Sequence, residues 1–474
     1  MSGEMWEMVV GLEVHVQLKT RTKAFCACST NFGDAPNSNT CPVCLALPGA
    51  LPVLNAHAVD LAARAALALG CTLHHRSVFA RKNYFYPDLP KGYQISQADK
   101  PLATGGHVTL ADGKVLGITR IHMEEDAGKS VHDRFAGLTA IDLNRSGVPL
   151  IEIVGEPEIR SAAEAGAYLK ALREILVYCG VSDCSMEEGS LRVDANVSAR
   201  PRGEAEFRPR TEIKNLNSFS NVERALELEF QRHVATYEAG GRIAQQTMLF
   251  DAVRQEVRAA RSKEGSHDYR YFPEPDLPPL VLQTEWIEHQ RGTIPELPAA
   301  RRGRFVNALG VAAADAEVLT AERDVAEYFE AVAAASGDGK AAANWVMGEV
   351  LAALNERGGD IGAFPVEASR LAALIALVKA GTLSSTAAKT VFQVMLAEPG
   401  DPQAIAERDG LLQVGDDAAL VAWIDEVWAE HPDEAARFVA GERKLQGVLV
   451  GFVMKKSKGR ADPRKVNQLL AGRG

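Results

Sequence analysis

The chain has 474 residues, 46% of them hydrophobic, and a formal net charge of −10. That length exceeds one ordinary domain and supplies real cores, so roughly two to four domains are expected. The acidic balance excludes a protein that coats nucleic acid non-specifically, and neither a membrane-length apolar run nor a signal peptide is read, so a cytoplasmic location with no membrane partner is expected.

From the N-terminus, Gly11 to Leu18 alternates cleanly. Leu12, Val14, Val16 and Leu18 form one face of a strand, and Glu13, His15 and Gln17 the other. Glu13 and His15 point the same way about 7 Å apart, close enough to share a cation or a phosphate, although such a pair is also compatible with a purely structural role.

Seven cysteines, an odd number in a long chain, argue for thiols and metal over a disulfide framework. Cys26-x-Cys28 and Cys41-x-x-Cys44 flank a loop-like stretch containing Asn31, Gly33, Pro36 and Asn37. Two close thiol pairs fit a tetrahedral structural Zn²⁺ site. Four protein ligands close the coordination shell, so this zinc staples a loop and activates no water. Cys71, Cys179 and Cys184 lack such spacing.

Ala56 to Leu69 has helical period and stops at Gly70. Arg81 to Gln97 is aromatic, basic and turn-rich, able to hold a base and its phosphates or to serve as a packed loop. Ile118 to Ser130 then carries three consecutive acids, Glu124, Glu125 and Asp126. Strand period puts Arg120, His122 and Glu124 on one face and Ile121, Met123 and Glu125 on the other. Adjacent carboxylates repel, which a bound Mg²⁺ removes where a phosphate ligand shares the site; a solvated acidic turn is the alternative. Gly128-Lys129-Ser130 is no P-loop ending, because Met123 stands where the first glycine belongs.

Glu152 lies inside an apolar, β-branched run and needs a cation or base opposite it. A helix from about Ser161 to Cys179 follows. Leu191 to Ser198 alternates Arg192, Asp194, Asn196 and Ser198 against an apolar face, and Thr211 to Leu216 sets Glu212 and Lys214 opposite Ile213. Several strands with one apolar and one ligand-competent face fit an antiparallel sheet with a helix-covered back and a polar front. Glu264 to Asp276 is a second aromatic, charged loop, a lid or a linker.

Composition shifts at Thr293 to Pro298, and the chain becomes Ala-rich and helical. Val325, Tyr328, Phe329 and Val332 recur at helical spacing, as do Ala388, Val391, Phe392 and Met395 after Ser384, a candidate N-cap. Glu398 to Pro402 marks a second break. Leu445, Val448, Leu449 and Phe452 form a stripe in the tail. Lys455, Lys456, Lys458 and Arg460 form a basic, Gly-containing turn of the kind that contacts phosphates, or else a solvated basic helix end; in an acidic chain it leans towards nucleic acid. The expected domains are 1–293, 294–402 and 403–474.

Together these stretches resemble a known family. G-L-E-V-H-V-Q-L (11–18), R-K-N-Y-F-Y-P-D (81–88), Y-Q-I-S-Q (93–97), H-M-E-E-D-A-G-K-S (122–130), D-L-N-R-S-G-V-P-L-I-E-I (142–153), M-E-E-G-S-L-R-V-D-A-N (186–196), K-N-L-N-S-F (214–219) and D-Y-R-Y-F-P-E-P-D (268–276) are similar to the B subunit of the aspartyl/glutamyl-tRNA amidotransferases. N-W-V-M-G (344–348) and S-K-G-R-A-D-P (457–463) extend the match to the tail.

The resemblance implies an α+β fold: an antiparallel-sheet cradle similar to glutamine synthetase, then an all-α domain and a small helical tail. It implies ATP and Mg²⁺, phosphorylation of the side-chain carboxylate of Glu (or Asp) on mischarged tRNA(Gln) (or tRNA(Asn)), and displacement of phosphate by ammonia. It implies a heterotrimer with an amidase subunit and a small C subunit, with an aminoacyl-tRNA synthetase as a further candidate partner. The metal site maps onto His15, Glu125 and Glu152, with Glu13 completing the catalytic set. Glu125 requires a bulge or strand end after Met123, since alternation puts it on the apolar face. Lys82, Tyr84, Arg120, Glu124, Asp194, Asn196 and Lys214 are candidates for ATP or substrate contact. The sequence shows neither a Ser-Ser-Lys amidase signature nor a Cys/His glutaminase pair, so ammonia is expected from a partner. Two other readings remain open: a stand-alone ATP-dependent amide ligase on a free acid, and a non-catalytic tRNA-binding scaffold.

Overall fold

The computed structural model describes residues 5–97, 99–135, 137–260, 268–414, 416–457 and 459–473. Lys458 and the start of the second aromatic loop, Glu264 to His267, lie outside the described residues. The chain divides into two compact units, Met1–Pro298 and Ala299–Gly474.

Among the described residues, the first unit is built on a 13-stranded sheet. Its central strands are β1 (Trp6–Gln17), β2 (Ala80–Asn83), β3 (Tyr93–Ser96), β4 (Val115–Glu125) and β5 (Pro149–Gly155), followed in the chain by β6 (Leu191–Pro201), β7 (Thr211–Leu216), β8 (Gln246–Asp251) and β9 (Glu256–Ala259). Their spatial order is β9-β8-β7-β6-β1-β5-β4-β3-β2, antiparallel except for β7 with β8. Phe272–Pro273 adds an edge strand on β2, where Glu274 takes a bidentate pair from Arg81 at 2.7 and 2.8 Å.

Three helices supply the back layer: α1 (Ala56–Ala68), α2 (Ala162–Tyr178) and α3 (Phe219–Glu238). Each begins where a side chain satisfies an otherwise unbonded amide: Asn55 accepts from Ala58, Ser161 from Glu164 and Ser218 from Asn221. The apolar strand face and these helices share one core, with Leu12, Val14, Ile121, Ile153, Val193 and Ile213 against Leu61, Leu172 and Leu226. Burying each such side chain stabilises by about 1.5–3 kcal/mol, which fixes which face of each strand looks outward.

Pairing register then arranges the polar face in rows. His15 stands opposite Arg192 on one side and Glu152 on the other, and Glu152 stands opposite His122. Glu13 faces Asp194, Glu124 faces Ser96, and Lys82 faces Gln94.

The second unit is helical. Val325, Phe329 and Val332 are buried as the stripe requires, Tyr328 donates to the Val366 carbonyl at 2.8 Å, and Ser384 caps Ser385–Ala397. Helix Pro402–Arg408 straddles the expected boundary at 402 and packs on Ala368–Lys379 and Ser385–Ala397. A separate tail core joins Leu420, Ile424, Phe438, Leu449, Val453 and Val466. Of the expected tail stripe, Leu445, Leu449 and Phe452 pack on this core, Val448 is exposed and Val453 is buried in its stead; Phe452 also stacks on His431 at 3.9 Å. Among the described residues no helix is long and apolar enough to cross a membrane.

Where α3 meets β7, the buried Glu229 accepts from Thr211 at 2.7 Å and from Arg232 at 2.6 and 2.9 Å, and lies 3.3 Å from His233. Burial alone would raise its pKa; His233, Arg232 and Thr211 outweigh that and hold it at about 2, below the ordinary 4.5. The stability it contributes is therefore present above pH 4.5 and lost as pH falls towards 2. Glu229→Gln is expected to destabilise the protein by about 2–3 kcal/mol at pH 7, with the difference shrinking below pH 4.5, as read from urea midpoints measured across pH 7 to 3.

Candidate carboxylate and thiolate centres

The polar face concentrates its charge where β1, β5 and β4 run side by side. Glu152 Oε2 lies 3.3 Å from His15 Nε2 and 3.5 Å from His122 Nε2. His122 Nε2 lies 3.0 Å from Glu124 Oε1, which also accepts from Ser96 Oγ at 2.8 Å, while Gln94 Nε2 donates to Glu124 Oε2 at 3.0 Å. His15, Glu124 and Glu152 each offer a donor atom, all within 4.8 Å of one another.

Flanking this centre, Asn196 Nδ2 donates to Glu13 at 3.0 Å, and Lys214 pairs with Asp194 at 2.9 Å and Glu212 at 3.0 Å. Lys82 lies 5.0 Å over the Tyr269 ring, and the Tyr84 hydroxyl reaches Gln94 at 3.5 Å. Arg120 Nε and His122 Nδ1 are buried with no hydrogen-bond partner among the described residues. Orphaned polar atoms beside a mixed nitrogen and oxygen donor set fit a site completed by a ligand and a divalent cation.

Burial works against charge on His15, but the bond to Glu152 outweighs it and keeps the imidazole protonated above its usual range. His15 would have to give up the proton that Glu152 stabilises before its Nε2 could ligate a cation. Burial likewise opposes ionisation of Glu124 and Glu152, and the imidazoles hold both below the usual carboxylate range. Glu13 moves the other way, raised by burial and then by Glu152, Glu212 and Asp194. Burial opposes charge on Lys82 and Lys214, yet neighbouring carboxylates raise both, so they stay cationic.

Among the residues expected at the cation, His15 and Glu152 are brought together with Glu124 in place of Glu125. No bulge intervenes after Met123, and Glu125 stays on the opposite face, as alternation dictates. There it pairs with Lys91 and accepts the Ile95 amide at 3.0 Å. Several neighbours carry no signal of their own in the sequence. His122 is placed on the polar face by period, which assigns it no role. Asp126, at the far end of β4, accepts from Gln17 at 2.9 Å and Arg192 at 2.8 Å. Only register, invisible in one sequence, puts Arg192 beside His15.

The four thiols also converge. Cys26, Cys28, Cys41 and Cys44 offer sulfurs all within 4.8 Å, and none is in a disulfide. Cys41 and Cys44 Sγ are 3.9 Å apart, against the edge of about 3.8 Å that four sulfurs take around a Zn²⁺ at about 2.3 Å. The Cys26 thiol, the Cys41 amide and Lys23 hold the Cys44 thiol down at about 4, the form a metal takes up. Lys23 is fully buried and donates to the Asn39 and Leu143 carbonyls at 2.8 and 3.2 Å.

In the tail, Lys456 is tied to Glu426 and Glu430, and Arg460 lies 5.6 Å over the Trp423 ring. Lys455 makes no ion pair among the described residues.

The profile of the GatB/GatE catalytic domain matches residues 8–288, and that of the GatB domain matches 327–473. The chain is 55% identical over 471 residues to the B subunit of the aspartyl/glutamyl-tRNA(Asn/Gln) amidotransferase of Geobacter sulfurreducens, covering 98% of each. The chain belongs to the GatB family of amidotransferase subunits. The same-named proteins of Chlorobium luteolum and Carboxydothermus hydrogenoformans are 53% and 52% identical, again with 98% of each chain covered. This GatB-family chain is thus one subunit of a tRNA-dependent, glutamine-hydrolysing ligase, and the two profiles fall on the sheet unit and the helical unit.

The thiolate centre of this GatB-family chain makes a direct prediction. Purified protein is expected to carry about one zinc per chain by elemental analysis, lost in a Cys41→Ser, Cys44→Ser variant and kept in Cys71→Ser.

Proposed function

We infer that the polar sheet face is where the side-chain carboxylate of glutamate, or aspartate, on a mischarged tRNA is activated by ATP and converted to the amide. The observation that carries this is the buried row of His15, Glu152, His122 and Glu124 flanked by Lys82, Arg120 and Lys214.

A carboxylate is a poor acyl donor at neutral pH, because oxide is a poor leaving group. Attack of a substrate carboxylate oxygen on the γ-phosphorus of ATP forms a C–O–P bond and breaks the bond to ADP. Ammonia then adds at the carbonyl carbon, and inorganic phosphate leaves as the amide forms. His15, Glu124 and Glu152 would hold the Mg²⁺ that accompanies ATP, which neutralises phosphate charge during transfer. Lys82, Arg120 and Lys214 are the cations placed to meet the phosphates. Glu13, made more basic by burial and by Glu152, Glu212 and Asp194, is placed to take, in its ionised form, the proton that ammonia sheds on becoming an amide nitrogen. The ammonia would come from an amidase subunit held by a small third subunit, in the cytoplasm. The basic turn at Lys455 and Arg460 serves the tRNA.

The decisive assay mixes the protein with glutamyl-tRNA, ATP, Mg²⁺ and ammonium, with and without the amidase partner. Glutamine released from the tRNA only when ATP is present supports this reading; no amide in any mixture rejects it. Glu124→Gln is expected to cut turnover at least 100-fold and weaken Mn²⁺ binding, read by electron paramagnetic resonance, by about 10–100-fold. Glu125→Gln is expected to leave Mn²⁺ affinity within about threefold, because its carboxylate lies on the other face. Deleting residues 403–474 is expected to weaken tRNA binding and leave ATP binding intact. Undiminished tRNA affinity would favour a ligase acting on a free acid.

A further inference from the structure

A cavity of about 600 Å³ opens where β1 ends and β6 begins, lined by none of the groups placed in the carboxylate centre. One wall is the segment Thr30 to Asp34, held between the two cysteine pairs; the other is Met186 to Gly189 with the start of β6. Gln17 and Arg192 line it, and both donate to Asp126. Arg192 is the cross-strand partner of His15, and Gln17 lies two residues beyond His15 on the same face of β1, about 7 Å along the strand. Through Gln17 and Arg192 the cavity adjoins the strands that carry the carboxylate centre.

Its chemistry is selective. Phe32 is 72% exposed at the mouth, a free aromatic face on a stapled loop. Arg192 is spent on Asp126, and Arg145 on the Ala127 and Gly128 carbonyls. Lys129 is exposed and makes no ion pair among the described residues. Asp34 and Asp142 are engaged by Asn39 and by the Asn37 and Asn144 amides. Glu187 and Glu188 are exposed on the opposite wall, able to accept from a ribose hydroxyl or an exocyclic amine. Counted over the described lining, three cations (Lys129, Arg145 and Arg192) face four carboxylates (Asp34, Asp142, Glu187 and Glu188), a balance that disfavours a triphosphate far more than a nucleoside bearing a single phosphodiester charge.

We propose that this cavity receives the esterified 3′-terminal adenosine of the aminoacyl-tRNA, its base against Phe32 and its 5′-phosphate on Lys129. This rests on the functional reading above and deepens it. Seated there, the ester projects the glutamyl side chain, about 5 Å from ester carbon to carboxyl, towards His15 and Glu152. The cysteine loop then has a role in substrate placement besides holding the fold.

The test uses the chain in complex with its amidase partner. Phe32→Ala and Lys129→Ala are each expected to raise KM for glutamyl-tRNA about tenfold while KM for ATP stays put. Removing the terminal adenosine from uncharged tRNA is expected to weaken its binding to the wild-type complex about tenfold, and to weaken binding to Phe32→Ala little further. Additive losses would overturn the proposal, as would a KM increase confined to ATP, which would give the cavity to the nucleotide donor. Phe32 is exposed, so its removal leaves folding intact, and wild-type turnover in the same assay tests the functional reading separately.

Discussion

Glu124 and Glu152 sit together in a buried layer, and the polar half of the first unit is arranged to keep both ionised. Two carboxylates in a low-dielectric setting repel each other and shed their hydration, a combination that ordinarily drives protonation. Here His122 bridges them, His15 covers Glu152 from the next strand, and Ser96 and Gln94 cover Glu124 from the strand beyond. The charge is compensated by donors on neighbouring strands. The apolar face of the same strands is what holds those donors in line.

The second constraint lies at the sheet's end. The loop between the cysteine pairs is stitched to the connection entering β5 by Asn37, which donates to the Ile141 carbonyl and accepts the Leu143 amide, and by Asn144, which accepts the Asn39 amide. That connection carries Arg145, which lies 3.6 Å from Asp126 and donates to the Ala127 and Gly128 carbonyls. Gly147 packs there too: a Cβ on it would sit 3.5 Å from Lys23, 3.7 Å from Cys44 and 3.8 Å from Glu125, and its φ of +86° disfavours any side chain. The thiolate centre therefore borders the end of β4, where Glu125 and Asp126 lie.

Much of this was legible in the sequence. Alternation marked β1, β6 and β7, separated Glu124 from Glu125, and showed that Glu152 needed a partner. The cysteine spacing pointed to four sulfurs meeting. What was not legible was pairing. A strand's period says which face a residue occupies but not which residue stands across from it, so the His15, Arg192 and His122 neighbourhood had no signal. The family mapping puts Glu125 at the cation, whereas the period puts it on the opposite face, where its carboxylate lies beside Lys91 and the Ile95 amide. In the tail the stripe holds at Leu445, Leu449 and Phe452 and misses only at Val448, with Val453 taking the inward position.

Because His15, Glu152, His122 and Arg192 meet by register alone, the sheet is indifferent to the length of its connections and intolerant of insertion within its strands. One residue added inside β1 would carry His15 into the helical layer and swing Val14 or Val16 into the carboxylate row, leaving Glu152 facing hydrocarbon. The same residue added to the exposed turn before β6 would move no donor across the sheet. Chains built to this plan are therefore free to lengthen at their turns, while the spacing within β1, β4, β5 and β6 is fixed by arithmetic of two.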